Sequence, residues 1–190
     1  GRPAGGASPV SMSSQSTARI LVVDDEIEIA DSLAEFLIRK EGFQVDIVHD
    51  GQEAIAFLEK SIGGLAEIDL VLLDMRMPGI SGLEVLDWIR GHPDLRYTRV
   101  VLLTAAASND EKVQALSAGA DDYITKPYYM QELLARVKTI LRTQQLEKQL
   151  HQQSRQLAEL NRISQAVAAT LETGQVYATA IRGVDAILQV

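Results

Sequence analysis

The amino-acid sequence predicts an α/β fold, a five-stranded parallel sheet with helices on both faces, followed by a long helical extension. Three observations carry this. From Arg19 onward, short β-branched runs alternate with longer stretches of helical periodicity, the mark of successive βαβ units. Two of the runs, 69–73 and 99–103, are almost wholly apolar, as strands covered on both faces must be. Helical periodicity then continues well past the last strand.

Strands are predicted at 19–23, 44–48, 69–73, 99–103 and 122–125. The first helix follows from Ile27, Ala30, Leu33, Ala34, Leu37 and Ile38 at spacings of three and four. Arg39 and Lys40 suit the negative end of its dipole, and Gly42 ends it. Further helices are expected at 51–61, 82–91 and 109–117, the last stopped by Gly119. Leu133, Leu134, Val137, Ile140 and Leu141 make the core-facing stripe of a fifth, and one domain closes near Thr143.

Beyond it, Leu146, Leu150, Leu157, Leu160, Val167 and Leu171 fall on heptad a and d positions. Gln153 and Ser164 interrupt the seam and Ile163 lies off it, so a short, imperfect parallel coiled coil with a phase shift is expected. Packing back onto the preceding domain as a monomer is the alternative. Gly174 is expected to break the helix before a new amphipathic helix over 175–190. The predicted organisation is thus a flexible tail over 1–17, a domain over 18–143, a coiled-coil helix over 144–173 and the start of a further domain at 174–190.

The 190 residues are 46% hydrophobic and 23% charged, enough apolar material for a buried core. A net charge of −8 argues against a broad basic surface for nucleic acid and suits a cation-attracting site. The absence of cysteine excludes disulfides and thiolate metal ligands and fits a cytoplasmic setting. No apolar stretch is long enough to span a bilayer, and residues 1–16 lack a signal-peptide pattern.

Asp24 and Asp25 follow the first strand and Asp74 the third. In a sheet of order 2-1-3-4-5 these strands are neighbours where the order reverses, the place where ligands bind. Crowded carboxylates raise each other's pKa values or require a cation, and an all-oxygen site of this kind suits Mg2+. Thr104 and Lys126, at the ends of the fourth and fifth strands, would add a hydroxyl and an ammonium for phosphoryl oxygens. Asp74 is then the natural nucleophile. His49 and His92 have no metal-ligand spacing, and His151, in the stretch HQQSRQ, lacks an acidic residue directly after it as a phosphorylatable histidine would require.

The segments ILVVDDE, VLLDMRMPGISG, VVLLTA and GADDYITKPY, in this order, closely resemble the receiver domains of bacterial response regulators over about Ala18 to Arg142. The resemblance implies that Asp74 accepts phosphate from a sensor histidine kinase or phosphotransfer protein. It implies that Asp25 and Asp74 bind Mg2+ directly, Asp24 largely through water, and the Arg76 backbone carbonyl as a further ligand. Thr104 and Lys126 would contact the phosphoryl group, Tyr123 would be the aromatic switch, and Arg76 and Ala106 would tune the phosphate lifetime. It also implies an output face made by the fourth helix, fifth strand and fifth helix, where Lys112, Asp122, Glu132 and Arg136 resemble charges that pair across a homodimer. The segment LNRISQAVAATLETGQVYATAIRGVDAIL looks like the opening helices of a GAF-type domain. Two rivals stand beside this reading. One is a phosphohydrolase of the haloacid dehalogenase type, which would carry an acid where this chain has Arg76. The other is a pseudo-receiver acting only through protein contacts, whose acidic site would be incomplete.

Overall fold

In a computed structural model, residues 17–63, 67–105, 113 and 116–188 are described, with side chains through Gln165. The strands are β1 (Arg19–Val23), β2 (Gln44–Val48), β3 (Leu70–Asp74), β4 (Arg99–Thr104) and β5 (Asp122–Thr125). Between them lie α1 (Ile27–Glu41), α2 (Gly51–Ser61) and α3 (Gly82–Gly91), and the C-terminal helix runs Met130–Leu188. All four strand pairings are parallel, in the order β2-β1-β3-β4-β5. This is the doubly wound, flavodoxin-like sheet the sequence predicts, with a long C-terminal helix.

Alternation along each strand divides the core into two layers. Leu21, Val23, Val71, Leu73 and Leu102 pack with Leu58 of α2 and Leu86 of α3. Ile20, Val22, Leu72, Val101 and Leu103 pack with Leu33 and Leu37 of α1 and with Leu133 and Val137 of the C-terminal helix. β3 is wholly buried, and β1 and β4 are buried beyond their first residue, which is why their sequences are nearly continuous apolar runs rather than alternating ones.

Local chemistry fixes the helix ends. Gly42 takes φ +71° and its N–H caps the Ile38 carbonyl at 2.9 Å, a left-handed stop open to glycine. Asp50 caps α2 by accepting the Glu53 N–H, and Ser81 with Glu84 forms a reciprocal capping box on α3. At the opposite end of α3, Arg90 donates to the carbonyls of Gly119 (2.8 Å) and Thr98 (3.0 Å) and to Asp121 (2.8 Å). Asp121 also takes Arg99 and the Val100 N–H, each at 2.8 Å. This network ties the turn before β5 to the start of β4.

Several boundaries differ from expectation. β3 begins and ends one residue later than expected and β4 runs one residue further, so Asp74 and Thr104 close their strands, because Asp74 still pairs with Leu103 and Thr104 with Thr125. A 3-10 turn, Pro93–Leu95, precedes β4. Of the helix expected at 109–117, only Val113, Leu116 and Ser117 are described, and they are helical. Gly174 does not break the C-terminal helix, which passes through it to Leu188. One glycine in a helix interior costs only about 1 kcal/mol relative to alanine, too little to stop a run of helix formers such as Ala168, Ala169, Leu171 and Glu172. The chain divides into two compact units, one ending at Gln144 and one beginning at Gln145. Among the described residues no helix is long and apolar enough to cross a membrane.

Candidate functional site

Carboxylates at two strand ends converge on one ammonium at a third. Asp24 follows β1 directly and is 0% exposed; its N–H reaches the Val48 carbonyl at 3.3 Å, and its Oδ1 accepts the Glu26 N–H at 3.0 Å. Asp74 closes β3 at 6% exposure, and its Oδ2 accepts the Arg76 N–H at 2.8 Å. Lys126, directly after β5, sets its Nζ 2.7 Å from Asp24 Oδ2 and 2.6 Å from Asp74 Oδ1. Thr104 is buried at the end of β4, and its carbonyl accepts the Lys126 N–H at 2.7 Å. Residues drawn from positions 24 to 126 thus meet at the carboxyl-terminal rim of the sheet.

The approach of α3 is part of this geometry. A Cβ on Gly82 would overlap the Asp74 carbonyl oxygen and lie 2.9 Å from Met75 Cα, while the Gly82 N–H bonds the Met75 carbonyl at 3.2 Å. Only glycine lets the helix start this close to the loop that leaves Asp74.

The charges do not balance. Burial raises the Asp74 pKa, and the Asp24 carboxylate adds to the rise; the Lys126 ammonium and the Arg76 N–H oppose it without cancelling it. Burial alone would depress Lys126, but its hydrogen bonds and attraction to Asp24 and Asp74 outweigh this, and its pKa is pushed up to about 12. Two carboxylates face one ammonium, so Lys126 is held strongly, while for Asp74 the cost of burial exceeds what Lys126 and the Arg76 N–H return. Such a site favours a further positive centre. Because Lys126 already shows that one cationic atom can touch Asp24 and Asp74 together, their oxygens suit a small hard cation. Among the described residues, no three His, Asp or Glu side chains converge closely enough to hold a metal by themselves.

The other predicted site residues lie as follows. Asp25 and Arg76 are exposed beside the site. Tyr123, on β5, is half-buried against the core layer that contains Leu102. Arg136 pairs within the chain with Asp122 at 2.9 Å and with Glu132 at 3.1 Å. These three help line a cleft of about 310 Å3 with Tyr123, Thr125 and Tyr128. Lys112 and Ala106 lie outside the described residues.

Two contributors were not singled out from the sequence. Glu26 brings a carboxylate oxygen to 3.9 Å from Lys126 Nζ, and the unbroken acidic run 24–26 is the signal that could have found it. His49 Nδ1 lies 3.1 Å from the Asp24 carbonyl, which makes it the donor there. No spacing in the sequence marks that contact.

The chain matches the response regulator receiver domain family over residues 20–138. It is 45% identical over 123 residues to the sensory transduction protein RegX3 of Mycolicibacterium smegmatis, covering 65% of this chain and 50% of that protein. It is 46% identical over 127 residues to the regulatory protein VanRc of Enterococcus gallinarum, covering 67% and 51%. The chain therefore spans about half the length of these curated relatives. Among solved structures, it is similar to a CheY-like response regulator receiver domain protein from Methanospirillum hungatei, with TM-score 0.61, 34% identity, and 70% and 99% of the two chains covered. The chemotaxis response regulator CheY4 of Vibrio cholerae aligns with TM-score 0.60 and 27% identity, covering 66% and 99%.

Proposed function

Because this chain belongs to the response regulator receiver domain family of two-component systems, we propose that Asp74 accepts a phosphoryl group from a phosphohistidine of a sensor histidine kinase or phosphotransfer protein. One observation carries the reading: a buried carboxylate at a strand end, held by a lysine at 2.6 Å and a backbone N–H at 2.8 Å, with the Asp24 carboxylate on the same ammonium. An Asp74 oxygen attacks phosphorus in line, the P–N bond breaks, and the imidazole nitrogen leaves with the electron pair. The Arg76 N–H and Lys126 hold the carboxylate in place for this attack. Lys126 and the Thr104 hydroxyl then take the phosphoryl oxygens.

Asp24, Asp25 and Asp74 with the Arg76 carbonyl would hold Mg2+, water filling its other positions. The metal supplies charge neutralisation on the transferred group. Phosphorylation adds about −1.5 to −2 charges at the rim. Thr104 and Tyr123 respond inward, biasing the face made by β5, the C-terminal helix and the helix expected at 109–117. Relay proceeds through a homodimer at that face and along the leucine row Leu146, Leu150, Leu157 and Leu160, each more than half exposed in the single chain. The domain is a phospho-acceptor rather than a turnover enzyme, with at most slow self-phosphorylation and self-dephosphorylation, and it works in the cytoplasm.

The test is incubation of the 190-residue chain with acetyl phosphate and Mg2+, read by intact mass and by size-exclusion chromatography with light scattering. One phosphoryl group per chain, absent in Asp74→Asn, with a shift toward dimer, is the expected result. Sustained release of phosphate would favour the hydrolase. No modification of any kind would favour a module that acts only through protein contacts.

A further inference from the structure

The stripe that seats the C-terminal helix on the core, Leu133, Val137 and Leu141, reaches its next position at Gln144. This amide is 1% exposed. Its Nε2 donates to the Asp69 carbonyl at 2.9 Å and to the Tyr97 carbonyl at 2.6 Å, while its Oε1 is buried with no hydrogen-bond partner among the described residues. A leucine here would complete the apolar stripe and leave no acceptor dry, so on burial alone glutamine is the costlier choice. What the amide adds is direction. Two hydrogen bonds tie the helix to two defined atoms, where apolar packing would tolerate sliding.

Those two atoms are informative. Asp69 immediately precedes β3, which ends on Asp74, and Tyr97 lies two residues before β4, which ends on Thr104. The Asp69 carbonyl also accepts the N–H of Arg99, the first residue of β4, at 2.9 Å. Gln144 thus straddles the starts of the two strands whose far ends carry the acceptor and the threonine. It is also the last residue of the first compact unit, and the second begins at Gln145.

We propose that Gln144 is a positioning residue that couples β3 and β4 to the C-terminal helix, so that a shift between these strands on loading of Asp74 changes the hold on the helix where it leaves the domain. The inference rests on the phospho-acceptor reading of Asp74. It adds the route by which the far end of the sheet would report that event.

The experiment compares the 190-residue chain with Gln144→Leu by hydrogen-exchange mass spectrometry, with and without beryllofluoride and Mg2+. Peptides spanning Asp74 and Thr104 report loading; peptides covering 138–150 report the helix. In the unmodified chain both sets respond, the helix amides by about threefold or more in exchange rate. In Gln144→Leu the Asp74 peptides respond as before and the helix response is lost. Gln144→Met, unbranched like glutamine, replaces the leucine variant if that packs badly. An amide that merely stabilised the fold would shift both states alike and leave their difference intact, so a variant with the full helix response overturns the proposal. Loading at Asp74 with a silent helix in the unmodified chain also overturns it. No response at Asp74 in that chain removes the phospho-acceptor reading itself, and the coupling falls with it.

Discussion

Replacing Lys126 by methionine keeps most of the side-chain volume and removes the one ammonium held between Asp24 and Asp74. The Lys126 side chain is 16% exposed and those of its partners 1% and 9%, so water can do little to replace it. Removing one partner of a buried ion pair leaves an uncompensated charge and typically costs about 3–5 kcal/mol. Here two carboxylates would be left facing each other, so Lys126→Met is expected to lose at least about 3 kcal/mol at neutral pH. Because the loss is electrostatic, a cation should restore it. Saturation to a hundred times Kd returns about 2.7 kcal/mol. The measurement is urea unfolding of both proteins with chelator and with saturating Mg2+, read at constant m. A loss under about 1 kcal/mol, or equal stabilisation of both proteins by Mg2+, would refute the charge argument.

Further outcomes follow from the same contacts. Asp74 has its pKa raised in the folded chain, so its contribution to stability is present at acid pH and lost as pH rises through the folded value. Asp74→Asn should therefore abolish that part of the pH dependence in chemical unfolding between pH 4 and neutrality, leaving the variant no less stable than the parent at pH 7. Lys126, pushed up to about 12, stabilises the fold below its ordinary value and loses that contribution as pH climbs toward 12, which Lys126→Met should not show in an alkaline melt. Gly82→Ala should cost about 1–3 kcal/mol by overpacking against the Asp74 carbonyl, and should slow acetyl phosphate labelling more than Gly91→Ala, where a Cβ meets open space. The Tyr128 hydroxyl is buried with no hydrogen-bond partner among the described residues, so Tyr128→Phe should leave thermal stability unchanged or raise it by about 1 kcal/mol.

The parts of the fold that could be read from the sequence are those set by burial. β3 and β4 announce themselves because strands enclosed on both faces must be apolar throughout, and Asp74 and Lys126 stand out because charge at the end of such a run needs a reason. The ends of these two strands came one residue short because polarity marks where an apolar run stops, whereas pairing to the neighbouring strand decides where the ladder stops. Gly174 misled for a related reason, since a weak local preference does not outweigh the cooperativity of a long helix. The Arg90, Asp121 and Arg99 network left no trace in periodicity, because it joins positions brought together only by the closed sheet. Gln144 did leave one: it falls on the spacing of the buried stripe, yet polarity hid it among the glutamines that follow.

The parallel register has a consequence for which insertions and deletions this chain can accept. Side chains alternate faces along a strand, so losing one residue within 70–73 would bring Asp74 one rung back and turn it toward the opposite side of the sheet. β3 is paired along both edges, to β1 and to β4, so it cannot slide to compensate without breaking two ladders at once. Length change should therefore be lethal to the site inside β3 and better tolerated at Gly63, which lies outside every strand and helix.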